Sequence, residues 1–176
     1  MKKTLPLLVL VFTLSMYSVH AQKGNNQLVI AADMGLPIGQ YDNSFNTGFG
    51  GYVKGLYGVG KAGQVSLTAG YGYYKSKGDL SIFHVHSTMI PLLAGFRFAK
   101  NGFYAEPQLG YGLYKLTVNY NGESPSETDG AFTYAIGAGF VFHGIDAGVR
   151  YQGAKKGSDD ITIIGIHVGY TLSFKK

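Results

Sequence analysis

The chain of 176 residues has no cysteine and no tryptophan, and only 14% of it is charged. Without cysteine there is no disulfide framework and no lipid anchor on an N-terminal thiol. The formal net charge is +5, or about +3 once Lys2 and Lys3 are set aside as part of a leader. Its basic residues form no stripe, so nucleic acid is not an expected partner. Beyond residue 21 no apolar run has the ~20 residues that a membrane helix needs. Yet 14 Tyr, 11 Phe and 27 Gly are present. A chain rich in aromatics and glycine, poor in charge and without a spanning helix fits a membrane barrel better than an average soluble domain.

The first 21 residues read as a targeting segment. Lys2 and Lys3 precede an apolar stretch from Leu5 to Met16, and Val19-His20-Ala21 places small residues at a cleavage site. This is the pattern of a secretory signal peptide, with cleavage expected after Ala21. A helical anchor is the alternative, but the run is too short to span. The expected organisation is a signal peptide over 1–21 and one domain over 22–176.

Period-two alternation runs through eight segments. Ile166, Val168, Tyr170, Leu172 and Phe174 share one face of the last, and Gly165, His167, Gly169, Thr171 and Ser173 share the other. Such alternation defines a strand with two environments. Strands are expected near Leu28–Leu36, Thr47–Tyr57, Val65–Lys75, Met89–Phe98, Phe103–Thr117, Ala131–Phe142, Ile145–Gln152 and Ile161–Phe174. The connections Pro37–Asn46, Ser76–Thr88, Val118–Gly130 and Gly153–Asp160 read as long. Gly58–Gln64, Ala99–Gly102 and the two-residue His143-Gly144 read as short. Long external loops and short periplasmic turns alternate this way in outer-membrane barrels, and an even strand number puts both ends on the periplasmic side.

A soluble eight-stranded barrel is the competing reading, with apolar side chains inside. The distribution of bulk opposes it. In the sixth segment Phe132, Tyr134, Ile136, Phe140 and Phe142 face away from Thr133, Ala135, Gly137 and Gly139. A narrow interior accepts the small side chains, not the rings. The expectation is an all-β fold: an eight-stranded antiparallel up-and-down transmembrane β-barrel.

The segments "YAEPQLGYGLY" (Tyr104–Tyr114), "IPLLAGFRF" (Ile90–Phe98) and "IHVGYTLSF" (Ile166–Phe174) resemble the small outer-membrane β-barrel family, of the OmpX and OmpA-barrel type. The resemblance covers nearly all of the chain after the leader. It implies an outer-membrane location, contact with outer-membrane lipids and lipopolysaccharide, and a last strand read by the barrel-assembly machinery through Tyr170, Leu172 and Phe174. Lys175-Lys176 after Phe174 departs from the family habit of ending on the aromatic.

On the inward face Asp33, Glu106 and Asp146 meet Lys54, Arg97 and Arg150. Charges inside a barrel must be paired or hydrated, so an ion-pair network that plugs the lumen is expected. Arg97 and Glu106 flank one short turn, and Asp146 and Arg150 share a face four residues apart. Tyr52, Tyr74, Tyr104, Gln108, Tyr114 and Gln152 would add bulk and hydrogen bonds. A narrow polar path for ions or small solutes is the alternative. His84 and His86 are too few for a metal site, and His86 and Ser87 point to opposite faces of a strand. No cofactor, metal or catalytic set is therefore expected, and a lipid-modifying enzyme stands third. The loops are the remaining candidates for surface-ligand binding or adhesion by a monomer. The residues concerned are Lys75, Lys77, Ile82 and Phe83 in the second, Glu123, Glu127 and Asp129 in the third, and Lys155, Lys156, Asp159 and Asp160 in the fourth.

Overall fold

The alternation resolves into eight strands in a computed structural model, which describes residues 26–59, 63–78, 83–120, 124–156 and 159–174. The leader lies outside these residues. The strands are β1 (Asn26–Ile38), β2 (Gly48–Gly58), β3 (Gly63–Lys75), β4 (Phe83–Lys100), β5 (Phe103–Tyr120), β6 (Ser126–Phe142), β7 (Ile145–Lys156) and β8 (Asp159–Phe174). Each pairs antiparallel with its sequence neighbours, and β8 closes on β1.

The closure is staggered. Leu28 pairs with Gly55, and the ladder continues through Leu67, Ala94, Leu109, Tyr134, Gly153 and Thr162 back to Ile38. One circuit therefore returns ten residues further along β1. Shear of this kind tilts the strands by roughly 35–45° and leaves an eight-stranded interior that side chains fill.

Rings line the outside. Phe98, Phe103, Phe142, Tyr170 and Phe174 are exposed near the turn end, and Tyr71, Tyr111, Phe132 and Tyr134 in the loop half. Such rings suit the girdles of a lipid-facing surface. Two turn-end connections are two-residue hairpins, Asn101-Gly102 and His143-Gly144, with positive φ at all four residues. This is the geometry whose twist matches paired strands.

The strands run further towards the loop end than the alternation indicates. β4 begins at Phe83, so His84 and His86 lie on a strand and not in a loop. β6 begins at Ser126, which places Glu127 and Asp129 on a strand as well. Lys155 and Asp160 pair across β7 and β8, leaving only Gly157 and Ser158 between the two strands. The alternation of long and short connections therefore fails at the last of them. These extensions pass beyond the outward apolar stripe: the outer face of β4 turns to His84, His86 and Thr88, and Ser126–Gly130 of β6 is polar on both faces, so the apolar/polar period no longer marks a strand. Ile82 and Glu123 lie outside the described residues, as do the side chains of Phe83, Lys156 and Asp159.

Candidate functional site in the lumen and at its mouth

The turn-end half of the lumen is ionic. Arg97 is 1% exposed, Glu106 1% and Asp146 0%. The two-residue turn at Asn101-Gly102 sets β4 against β5 and brings Arg97 beside Glu106. Arg97 Nε donates to Glu106 Oε2 at 2.8 Å, and its Nη1 donates to Asp146 Oδ2 at 3.2 Å. Lys54 Nζ reaches the same Glu106 oxygen at 2.8 Å. Gln108 donates to Glu106 Oε1 at 2.9 Å and to Thr68 Oγ1 at 2.8 Å. The pairs thus run from β2 to β5 and from β4 to β7, across the lumen. Bringing two charges out of water costs several kcal/mol per ion, so the closeness and number of these contacts decide whether the arrangement is tolerable.

Arg150 pairs with Asp33 at 2.5 Å and not with Asp146. The spacing of four residues along β7 puts Asp146 and Arg150 on one face at different heights, and each finds a partner on another strand. Tyr52 lies between the cationic groups: Lys54 Nζ is 5.1 Å and the Arg150 guanidinium 5.4 Å from its ring centroid. A stronger cation–π contact holds Arg97 at 3.7 Å from the Tyr104 ring.

A second cluster escaped the sequence reading. The Tyr104 hydroxyl donates to Asp146 Oδ1 at 2.7 Å, and His167 Nε2 lies 2.9 Å from that hydroxyl. The register joins them: Tyr104 faces Gly139, Gly139 faces Gly148 and Gly148 faces His167. A Cβ on Gly139 would meet the Tyr104 hydroxyl at 2.5 Å, and one on Gly148 would meet His167 at 2.8 Å. Two glycines therefore clear the floor on which the rings converge. Counting back from the His143-Gly144 turn aligns Gly139 with Gly148, but the steps to Tyr104 and to His167 cross the β5–β6 and β7–β8 registers, which no tight turn in the sequence announces.

The loop-end half is built from rings and aliphatic groups. Tyr74, Met89, Tyr114, Ala131, Ala154 and Ile163 pack with Tyr41. Tyr41 begins a single 3₁₀ turn, Tyr41–Asn43, that folds over the mouth. Its ring lies 5.8 Å from Tyr74 and 4.7 Å from Phe45. The turn is tied down by Asn46 N donating to Lys75 O at 2.8 Å, Lys77 N donating to Ser44 O at 2.9 Å, and a Lys77–Asp42 ion pair at 2.8 Å. Beneath this cap a cavity of about 270 Å³ is bordered by Tyr41, Phe45, Ser87, Tyr114, Lys115 and Ile161. Deeper in, a space of only about 20 Å³ remains beside Asp33, Arg150 and Gln152.

His86 and Ser87 do occupy opposite faces, with Ser87 buried inward. Among the described residues no three His, Asp or Glu side chains are grouped as metal ligands would be. Tyr170, Leu172 and Phe174 line the exposed outer face of β8.

A closed, staggered barrel with rings outside and paired charges inside is the architecture of a small transmembrane β-barrel. The chain belongs to the outer membrane protein beta-barrel domain family, whose model matches residues 8–171. That membership implies an outer-membrane location. Similar solved structures include Ail, the attachment invasion locus protein of Yersinia pestis. It has a TM-score of 0.64 and 16% identity, over 86% of this chain and 100% of that one. Ail in complex with the heparin analogue sucrose octasulfate gives 0.66 at the same identity and coverage. The N-terminal β-barrel domain of Pseudomonas aeruginosa OprF gives 0.59 at 18% identity, over 85% of this chain and 99% of that one. At these identities the likeness is one of fold. A search of curated proteins finds no match.

Proposed function

We propose that this chain is a sealed outer-membrane barrel, with a structural or adhesive role carried by its loop end, and not a pore. The observation that carries this reading is the Lys54–Glu106–Arg97–Asp146 chain of contacts, which crosses the lumen twice and leaves its members almost fully buried. The aromatic layer under Tyr41 adds a second obstruction nearer the mouth. A hydrated ion has no path through two such layers without breaking buried pairs. In this reading residues 1–21 are removed on export, both termini lie in the periplasm, and the last strand is presented to the assembly machinery.

The sealed lumen leaves the loop end as the working surface. It carries exposed charges of both signs, among them Lys77, Asp42, Lys155 and Asp160. The Ail structure with a sulfated sugar offers a polyanion as the first ligand class to try. Among the described residues no serine hydroxyl is hydrogen-bonded to a histidine, so an enzymatic role has less support.

Planar-bilayer recording tests the seal. Purified protein is expected to give no steady open conductance, and large continuous openings would sink the proposal in favour of the narrow pore. Labelling of intact cells with a membrane-impermeant amine reagent tests the orientation: Lys77 is expected to react and Lys100 is not. Adhesion is read separately, by binding of whole cells with and without the protein to sulfated polysaccharide.

A further inference from the structure

Among the described residues, the outer face of the barrel carries a basic cluster whose cross-strand partners include no acid. Lys75 pairs directly with His86 across β3 and β4. Lys115 pairs with Thr88 on β4 and with Thr128 on β6. All three follow the outward parity of their strands, since Tyr74, Ser87 and Tyr114 beside them are buried inward. Lys75 and Lys115 are exposed, and the His86 ring is held at 5.0 Å from Tyr73. Lys115 also borders the mouth cavity.

Charge pattern sets this cluster apart from Lys77 and Lys155 at the same end of the barrel. Towards the barrel's middle the same face continues as Tyr71, Ile90 and Leu113, all exposed and apolar. The basic groups therefore sit where the oily belt ends. Lys155, by contrast, faces Asp160 across β7 and β8, and Lys77 holds Asp42. Among the ion pairs of the described residues, none uses Lys75 or Lys115. A cation at the upper edge of a lipid-facing belt lies level with headgroup phosphate, and each such charge attracts an anionic surface by ~1 kcal/mol.

We propose that Lys75, His86 and Lys115 form a binding site for the phosphate of an anionic lipid headgroup. The two ammonium groups supply charge and the imidazole a directional donor, while Tyr71, Ile90 and Leu113 take the first part of the acyl chains. The site rests on the membrane-spanning reading, but not on which leaflet the loop end meets.

Native mass spectrometry of the detergent-folded protein tests it, with short-chain phosphatidic acid as probe and the matching diacylglycerol as its phosphate-free control. The wild type is expected to retain phosphatidic acid over diacylglycerol. Lys75→Gln with Lys115→Gln is expected to weaken that retention by more than about tenfold, taking about fivefold for each charge. Lys75→Arg with Lys115→Arg restores it, and Lys155→Gln leaves it unchanged. Millimolar inorganic phosphate is expected not to displace the lipid. Equal retention by wild type and the double glutamine variant overturns the site. So does an equal loss in Lys155→Gln, which would mean diffuse attraction, or displacement by free phosphate, which would mean a soluble-anion site. Heat-modifiable mobility on gels checks that each variant is folded. Because detergent exposes both rims equally, a wrong orientation would appear only in the cell-labelling experiment.

Discussion

Glu106 is the residue on which the interior charges converge, accepting from Lys54, Arg97 and Gln108. Glu106→Ala strands the buried Lys54 and leaves Arg97 to Asp146 alone, and a loss of about 3–5 kcal/mol is expected. Urea titration of the folded gel band would read it. Gly139→Ala probes the second cluster: its methyl would fall 2.5 Å from the Tyr104 hydroxyl and 2.6 Å from a backbone oxygen. Overpacking of this kind costs about 1–3 kcal/mol. Tyr41, in the mouth cap, offers a pH handle. Burial pushes its hydroxyl up to about 12, partly offset by the nearby polar Ser87 side chain. The folded state then holds this proton more tightly than the unfolded chain. Its contribution is whole below pH ~10 and is lost as pH rises towards about 12. Alkaline absorbance of wild type minus Tyr41→Phe is expected to show one tyrosine ionising near the top of that window. Which residues face inward was legible in the sequence, because a two-residue period sorts them. Which of them meet was less so. Arg97 and Glu106 flank a turn, but Lys54–Glu106 and Arg97–Asp146 depend on strands that face each other across a closed cylinder.

The strands differ in how far they outlast the apolar belt. β6 shows both regimes: Ala131–Phe142 alternates cleanly, while Ser126–Gly130 is polar on both faces. Ile136→Arg, near the middle of the alternating part, is expected to cost about 2–4 kcal/mol, the price of a cation at the bilayer midplane. Lys77→Ala in the mouth cap removes an ion pair exposed on both sides. A change within about 1 kcal/mol is expected there, measured by the same urea titration. The outward apolar stripe that marks a strand stops at the rim, so the pattern predicts loops where β4 and β6 in fact extend. The 3₁₀ turn at Tyr41–Asn43 was also hidden. It is one turn long and is held by backbone bonds to residues around position 76, a long-range partnership that no local pattern announces.

At the scale of the whole molecule, the barrel joins its first and last strands along thirteen paired positions, Asn26–Ile38 against Thr162–Phe174. Architecture and membrane setting were both legible, since bulk outside and small or charged groups inside leave few alternatives. The stagger of ten residues was not, because it accumulates from eight separate registers. This seam also orders events during folding. Asp33 on β1 meets Arg150 on β7 with β8 lying between them in the wall, so that contact exists only after the cylinder has shut. Until then the ionised groups destined for the centre must keep their water. Dehydration of the core is thus a final act, simultaneous with zippering, and a half-built sheet would stay wet, open and easily reversed.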